Sequence, residues 1–429
     1  MKISRRKFLG NSALAAMLSV QVLPSRLLGK GGTAPSQMLN VAMIGNGLIS
    51  EGHRKYFASS ANTRVCAVCD VHAQHLKNAK DEVDNIARGR KDIGFKECDT
   101  YHRYQDVIAR DDVDVVCICT PDHWHVAIAL KAIESGKAVY VEKPMSLTVR
   151  EGRALADAVK KTGGVLQVGS QQRSEWAFRK AAELVRNGYI GRVTRINTMI
   201  GEFPPEPKDL KEEPIPEGFD YDMWLGQTPW RPYNHFRVMG NYGSGWRCFY
   251  EYGARKEGDW GAHHFDIIQW ALGMDNSGPV DFFPPNSDGS EHRHYRYADG
   301  ITVFVNAPTR DNQMIQFIGE EGEVLVSRGG RISTTPSRLA SMPLKSSDTR
   351  LHISNDHRAD FINAVRFGSD NICPAEIGHR SATICQLSSI ALRLGEHVKW
   401  DPKTENVLNN ARAQAMLSRP RRAPYYLGV

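Results

Sequence analysis

The sequence predicts a protein of two α/β domains: an N-terminal, doubly wound parallel sheet, and a C-terminal α+β domain with an open, mainly antiparallel sheet. Three observations predict this fold. A glycine turn, Gly45–Ser50, lies between an apolar run and a helical segment. Apolar runs and helical segments then alternate up to residue 165, and strand-like runs with hairpin turns follow Arg192. We therefore expect domains at 37–165 and 166–429, preceded by a segment at 1–36.

Composition and charge narrow the class of protein. The chain has 429 residues, with 41% hydrophobic and 24% charged, so collagen, coiled coil and bulk disorder are excluded. Residues 1–36 contain six basic and no acidic side chains, and removing them takes the net charge from +7 to +1. This remainder has no Lys/Arg block, which argues against nucleic acid or an anionic membrane as partner. No apolar run reaches the roughly 18 residues of a membrane span.

The N-terminal segment has the form of a twin-arginine export signal. Arg5 and Arg6 precede Phe8 and an apolar stretch, Ala13–Leu23. The alternative is a basic N-terminus before an ordinary helix. We expect export, to the periplasm. Because this route moves folded proteins, a cofactor bound in the cytoplasm can travel with the chain.

The first strand and its turn predict a site for a dinucleotide. Leu39–Ile44 reads as a strand and is followed by G-x-G-x-x-S, after which a helix extends to about Ser59. The first glycine permits a tight turn, and the second lets backbone N–H groups approach a pyrophosphate at the helix N-terminus. The expected cofactor contacts in this turn are Gly45, Asn46, Gly47, Ile49 and Ser50.

Asp70 ends the second predicted strand, 23 residues after Gly47. An acidic side chain at this place binds both ribose hydroxyls and would repel a 2′-phosphate. The sequence therefore favours NAD over NADP. The alternative for Asp70 is an N-cap of the following helix.

Two later strands deliver polar residues to the same edge of the predicted parallel sheet. Asp114–Cys119 leads into the loop Thr120–His125, and Ala138–Val141 leads into Glu142-Lys143-Pro144. Ligands of doubly wound, Rossmann-type sheets bind at the carboxyl ends of the strands. Further cofactor contacts are therefore expected at Thr120, Pro121, His123, His125, Glu142, Lys143 and, after a strand at Val165–Val168, Gln171.

The second half contains an acid–histidine pair in a helical pattern. A helix from Gly258 to Gly273 places Asp259 and His263 on one face, one turn apart, as suits proton transfer. The alternative is a solvent-facing polar stripe. His263-His264 and His123-x-His125 do not have the spacing of a zinc site, so we expect no metal.

An aromatic-rich stretch follows a proline-rich segment, Phe203–Phe219, that reads as a long surface loop or lid. Eleven of the 34 residues from Phe219 to Tyr252 are aromatic, and arginines are interleaved with them. Such a surface suits a carbohydrate, whereas the alternative is a packed core or a subunit interface. The expected substrate contacts are Trp230, Arg231, Tyr233, Trp246 and Arg247, together with Arg173 and Trp260.

Three motifs, in this order and spacing, resemble the glucose–fructose oxidoreductase and inositol dehydrogenase family, Gfo/Idh/MocA. They are Gly45-x-Gly47, Thr120-Pro121 with His125, and Glu142-Lys143-Pro144. The resemblance extends from about residue 38 to the C-terminus. It implies that Lys143 lies beside the nicotinamide and the reacting carbon. It also implies that His263 is the acid/base group and Asp259 its acidic partner.

The resemblance implies an NAD(P)-dependent oxidoreductase acting on a carbohydrate or polyol hydroxyl. An exported enzyme needs tightly held NAD that returns to its starting state in each cycle. One alternative is a glycoside hydrolase or lyase that works by transient oxidation, elimination and re-reduction. A third hypothesis is a non-catalytic sugar-binding protein, which the presence of Lys143, Asp259 and His263 disfavours. The open sheet of the family implies a homo-dimer or homo-tetramer.

Overall fold

The structure of the protein, a computed structural model, describes residues 38–90 and 96–425. The predicted export signal at 1–36 lies outside this part of the chain. Among the described residues, no helix is both long enough and apolar enough to cross a membrane. The eight cysteines are all buried free thiols.

The first half of the described chain forms a parallel sheet, as the sequence predicts, and its six strands include one at Asp99–Tyr101 that was not predicted. The strands are β1 (Leu39–Ile44), β2 (Thr63–Cys69), β3 (Asp99–Tyr101), β4 (Val115–Ile118), β5 (Ala138–Val141) and β6 (Leu166–Val168). Their spatial order is β3-β2-β1-β4-β5-β6. This is the order of a Rossmann sheet, whose strand order reverses direction between β1 and β4. A ligand crevice is therefore expected at the carboxyl ends of β1 and β4.

Helices connect these strands and cover both faces of the sheet. They are α1 (Leu48–Ser59), α2 (Ala73–Gly89), α3 (Tyr104–Ile108), α4 (His125–Glu134) and α5 (Val149–Thr162). Local sequence accounts for the ends of α5. The Thr148 hydroxyl accepts a hydrogen bond from the Glu151 backbone N–H (3.3 Å), and Gly163 ends the helix in the left-handed conformation.

The second half of the chain contains a mixed, mainly antiparallel sheet of nine strands. The strands are β7 (Val193–Thr198), β8 (Asp281–Phe283), β9 (His294–Arg296), β10 (Thr302–Val305), β11 (Ile315–Gly319), β12 (Glu323–Ser327), β13 (Arg331–Thr335), β14 (Val398–Asp401) and β15 (Asn406–Val407). The spatial order is β13-β12-β11-β7-β10-β9-β8-β14-β15. Only the β7–β10 pair is parallel among these described neighbours.

The helices of the second half pack on one face of that sheet and on the first domain. They are α6 (Trp176–Arg186), α7 (Tyr221–Leu225), α8 (His235–Val238), α9 (Ala262–Leu272), α10 (His357–Phe367), α11 (Ala375–Leu394) and α12 (Ala411–Ala415). Phe361 of α10 packs in one core with Val41 of β1 and Tyr140 of β5. The chain therefore returns to the first sheet after forming the second, and the first sheet extends past residue 165.

Residues 199–256, here called the connecting segment, join β7 to the turn before α9. Of the described α-helices, only the short α7 and α8 lie in it, together with a 3-10 turn at Trp246–Cys248. Its apolar side chains form a separate core cluster of Phe203, Tyr221, Trp224, Leu225, Tyr233, Trp246, Cys248, Phe249 and Tyr252. The packed-core alternative therefore describes most of the aromatic residues in the stretch 219–252.

Candidate active site

A cavity of about 480 Å³ lies at the carboxyl ends of the parallel strands. One wall is formed by the glycine turn, Asp70, the loop after β4 and Glu142–Pro144, and the connecting segment and Asp259 form the opposite wall. The cavity thus lies where the order of a doubly wound sheet reverses, which is the usual ligand position of such a fold.

The glycine turn leaves room for a phosphate against the N-terminus of α1. Gly45 has φ +82°, and a Cβ there would lie 2.7 Å from the backbone nitrogen of Thr120. Gly47 is the N-cap of α1, and a Cβ on it would meet no protein atom within 4 Å. Ser50 is buried and donates to the Gly47 carbonyl oxygen (2.6 Å), so its hydroxyl is accommodated in place of a third glycine. The turn therefore fits a dinucleotide pyrophosphate.

Asp70 lies at the cavity and is not a helix cap. Its two carboxylate oxygens accept hydrogen bonds from the backbone N–H groups of Asn46 (2.6 Å) and His72 (2.9 Å). The N-cap of α2 is instead His72, whose Nδ1 accepts from the Gln74 backbone N–H. His75 Nδ1 lies 3.7 Å from Asp70, and interaction with that carboxylate raises the pKa of His75. The carboxylate is thus positioned at the ribose end of the cradle.

Glu142 is held by two residues that sequence reasoning did not identify. His53 of α1 donates from Nε2 to Glu142 Oε1 (2.9 Å), and its Nδ1 accepts from Nε of Arg358 in α10 (3.0 Å). This arrangement fixes the proton of His53 on Nε2. Burial raises the pKa of Glu142, but the hydrogen bond from His53 and the charge of Lys143 outweigh burial and hold it below its ordinary value. No local motif marks His53 or Arg358, because they are 305 residues apart.

Lys143 and Asp259 form an ion pair across the cavity. Lys143 Nζ lies 3.1 Å from Asp259 Oδ1 and also donates to the Asp259 backbone oxygen (3.2 Å). Lys256 Nζ is 3.4 Å from the other carboxylate oxygen, and Arg247 Nε is 4.0 Å from Oδ1. Burial raises the pKa of Asp259, but the charges of Lys143 and Arg247 outweigh burial and hold it below its ordinary value. The structure therefore provides a charged carboxylate beside the lysine.

His263 is close enough to Lys143 to feel its charge, but it is not hydrogen-bonded to Asp259 and does not line the cavity. Residues Glu257–Gly261 form a π-helical turn, so the one-turn spacing expected of an α-helix does not apply between Asp259 and His263. Within the described residues, the buried Nδ1 of His263 has no hydrogen-bond partner. Burial and the charges of Lys143 and Arg328 hold the pKa of His263 well below its ordinary value. Its imidazole is therefore neutral at neutral pH.

His125 ties the loop after β4 to the loop after β5. Its Nδ1 lies 2.8 Å from the Pro144 carbonyl oxygen, and its Nε2 lies 2.9 Å from that of Thr120. His125, Thr120 and Pro121 all line the cavity. His123 does not line it, and its Nε2 lies 2.9 Å from the backbone oxygen of Trp224 in the connecting segment. His123 therefore holds the two walls together.

The remaining predicted residues divide between the cavity and other places. Tyr233, Trp246 and Arg247 line the cavity, whereas Trp230 and Gln171 are exposed elsewhere. Three others have structural partners. Arg231 pairs with Glu251, Arg173 is buried against Asp266 and Asp275, and the Trp260 ring lies 4.5 Å from the Arg328 guanidinium carbon.

Asp122 and Arg328 were not selected from the sequence. Asp122 lines the cavity and accepts from the Ala254 backbone N–H (3.1 Å), and burial raises its pKa. Arg328 follows β12 and donates from Nε to the Gln172 amide oxygen (3.1 Å), in the amide orientation that also lets Gln172 donate to the His263 carbonyl. The described residues contain no group of three or more His, Cys, Asp or Glu side chains suited to a metal ion.

Known proteins with similar sequences are oxidoreductases and glycosyl hydrolases. A glycosyl hydrolase family 109 protein of Shewanella pealeana is 30% identical over 182 residues, covering 38% of each chain. An uncharacterized oxidoreductase of Bacillus subtilis, YrbE, is 27% identical over 188 residues, covering 44% of this chain and 51% of its own. The match thus spans about two fifths to one half of these relatives.

Solved structures with the same fold include sugar oxidoreductases. The WlbA dehydrogenase of Bordetella pertussis, in complex with NADH and UDP-GlcNAcA, has a TM-score of 0.59 at 16% identity, covering 85% of this chain and 99% of its own. The aldose–aldose oxidoreductase of Caulobacter crescentus, complexed with glycerol, has a TM-score of 0.57 at 20% identity, covering 84% and 99%.

Family models match both halves of the chain. Residues 39–170 match the NAD-binding Rossmann domain of an oxidoreductase family, and residues 203–427 match its C-terminal alpha/beta domain. The two matches include the glycine turn, Lys143, Asp259 and His263. With this fold and these matches, the chain belongs to the Gfo/Idh/MocA oxidoreductase family.

Proposed function

We propose that the protein is an NAD-dependent oxidoreductase that acts on a carbohydrate or polyol hydroxyl. The observation that carries this proposal is the Lys143–Asp259 ion pair, which lies in the same cavity as the glycine turn and Asp70. A lysine and a carboxylate beside a dinucleotide cradle suit hydride transfer from a carbinol carbon. The sugar nucleotide and the glycerol bound in two solved structures of the same fold are consistent with this substrate class.

The cofactor would be held by the glycine turn at its pyrophosphate and by Asp70 at its adenosine ribose. A nicotinamide bound in this cavity supplies the acceptor for the hydride. Asp70 supports NAD rather than NADP, because its carboxylate, fixed by two backbone N–H groups, would repel a 2′-phosphate.

Two side chains act on the substrate hydroxyl in this proposal, one orienting its oxygen and the other accepting its proton. Lys143 Nζ, fixed by Asp259, orients the hydroxyl oxygen by hydrogen bonding. We assign acceptance of the hydroxyl proton to the neutral imidazole of His263, which lies near Lys143 outside the cavity lining and whose buried Nδ1 has no partner in the described chain. Asp259 acts through Lys143, and it does not orient His263.

Tight retention of NAD fits the enclosure of the adenosine end. The connecting segment pairs with the residues after Asp70: the Ala73 backbone N–H donates to Gly218 (2.8 Å), and that of Asp220 donates to Val71 (2.9 Å). Export by the twin-arginine route to the periplasm remains a proposal, based on residues 1–36. An exported enzyme without a supply of free NAD needs a cofactor that stays bound. The enclosure of the adenosine end would slow its release.

The glycosyl hydrolase family 109 relatives support a second candidate, redox-neutral glycoside cleavage. The two candidates share the retained cofactor and Lys143, and they differ in the bond that is broken. A dehydrogenase acts on free sugars or polyols. A redox-neutral glycosidase cleaves glycosides without added NAD or a second substrate.

The decisive experiment is to denature protein purified from its native compartment, quantify released NAD(H), and assay the intact protein on free sugars and on aryl glycosides. We expect stoichiometric NAD(H). We also expect Lys143→Met to lower kcat about 10²- to 10⁴-fold while leaving bound NAD(H) unchanged. The control Lys55→Met removes an exposed lysine that pairs with Glu51 on the surface. Protein without nucleotide and without activity on either class, or full function of Lys143→Met, would contradict the proposal.

A further inference from the structure

Three cations share one carboxylate at the reactive end of the cavity. Lys143, Lys256 and Arg247 lie 3.1, 3.4 and 4.0 Å from Asp259 oxygens, and their side chains are 14%, 12% and 13% exposed. Within the described residues, none of the three forms an ion pair with a second carboxylate. Buried charges are normally paired, and the single charge of Asp259 can balance only one of these three cations.

Within the described residues, the neighbouring carboxylates Glu142 and Asp122 form no ion pair with any of the three cations. Glu142 is engaged by His53, and Asp122 is bonded to the backbone N–H of Ala254. Arg328, whose charge lowers the pKa of His263, adds a further cation and has no ion-pair partner among the described residues.

Arg247 has the geometry to bind an anion. Its guanidinium carbon lies 4.3 Å from the Trp246 ring centre and 5.4 Å from that of Tyr242, and all three residues line the cavity. Nη1 donates to the Asn241 carbonyl oxygen (3.0 Å), whereas Nη2 has no hydrogen-bond partner among the described residues. A guanidinium stacked on aromatic rings, with unused donors facing a cavity, suits the two oxygens of a carboxylate or a sulfate.

We propose that the substrate is an anionic carbohydrate, and that Arg247 binds its carboxylate or sulfate ester. This inference rests on the proposed function and adds the charge of the substrate. Trp246 and Tyr242 would contact the apolar face of the sugar, and the anionic group would balance the charge shared around Asp259.

The test compares binding of matched sugars to the NAD-loaded protein by calorimetry. The panel contains gluco-, galacto- and manno-configured neutral methyl glycosides, the corresponding methyl uronosides, and their 6-sulfated forms. We expect at least one anionic form to bind about 10- to 100-fold more tightly than its neutral counterpart. Carboxylate and sulfate forms are compared with each other to identify the anion.

Variants then assign the preference to Arg247. Arg247→Met is expected to remove it, and Arg247→Lys to retain part of it, because a lysine keeps the charge without the planar fork. The matched control Arg192→Met removes an exposed arginine that pairs with Glu320 far from the cavity, and it should retain the full preference.

Three results would overturn the inference: equal or tighter binding of the neutral sugars, no binding of any anionic sugar, or an undiminished preference in Arg247→Met. The wild-type comparison decides the matter even if a variant does not fold. Stoichiometric NAD(H) with turnover of neutral sugars would reject the anionic substrate and leave the oxidoreductase proposal intact. Protein that contains no NAD(H) and binds no sugar would reject both.

Discussion

The two walls of the cavity differ in how their residues are positioned. On the parallel-sheet wall, Gly45, Asp70, Thr120 and Lys143 each lie within two residues of the end of a strand, and all four line the cavity. On the wall formed by the connecting segment, Arg247 lines the cavity, whereas the neighbouring candidates Trp230 and Arg231 do not. Strand ends of a doubly wound sheet converge because of its topology. An irregular segment imposes no such rule, so its side chains are placed by packing.

On the parallel-sheet wall, a substitution in the glycine turn is expected to have the largest effect, a loss of affinity for NAD. Gly45→Val combines an unfavourable left-handed backbone conformation with a Cβ 2.7 Å from Thr120. We expect affinity for NAD to fall about 100-fold or more, measured as NAD(H) released per folded chain. Gly47→Ala is the comparison, since its Cβ meets no protein atom and intrudes only on the phosphate space. Normal nucleotide content in Gly45→Val would show that local backbone geometry does not control this wall.

Substitution of His263 tests whether a side chain near the wall formed by the connecting segment takes part in proton transfer. Its pKa lies well below the ordinary value, and an imidazole accepts a proton only when it is neutral. We therefore expect kcat/KM of the wild type to be flat between about pH 6.5 and 8, with any loss from this group at lower pH. His263→Asn should lower kcat about 10²- to 10⁴-fold at unchanged NAD(H) content. A loss of activity on acidification near neutral pH, or full activity of His263→Asn, would show that another group accepts the proton.

A smaller effect, on the free energy of unfolding, is expected from breaking the Glu405 contacts that join the two halves of the chain. Glu405 accepts from Arg153 of α5 (2.7 Å), and its Oε1 lies 2.9 Å from His379 Nε2 in α11. Burial raises the pKa of Glu405, but the hydrogen bonds from His379 and Arg153 outweigh burial and lower it to about 2. Because the folded value is below the ordinary 4.5, the stabilisation is present above about pH 4.5 and is lost as pH falls towards 2.

Glu405→Gln should therefore lower the free energy of unfolding at pH 7 by about 2–4 kcal/mol, measured by denaturant titration. The difference from wild type should shrink on acidification through the same range. Glu396→Gln, which breaks an exposed pair with Arg412, should cost less than about 1 kcal/mol. Equal effects of the two substitutions would show that the Glu405 network does not join the halves.

The fold was predictable to a large extent because its signals are local. Apolar runs, the glycine turn and the Thr148 cap follow from strand period, backbone freedom and capping, and each is present in the structure. The aromatic stretch was less predictable. Aromatic side chains suit a core and a sugar pocket equally well, and packing decided that most of them form a core.

The doubly wound parallel sheet, the glycine turn and the place of Lys143 after β5 were predictable from the sequence alone, since these depend on backbone geometry at strand ends. Only the tertiary structure decided that Asp259 pairs with Lys143 and not with His263, because a π-helical turn changes their relative directions. It also decided that His53 and Arg358 support Glu142, from opposite parts of the chain. Contacts between distant side chains depend on how the elements pack, and no local pattern encodes them.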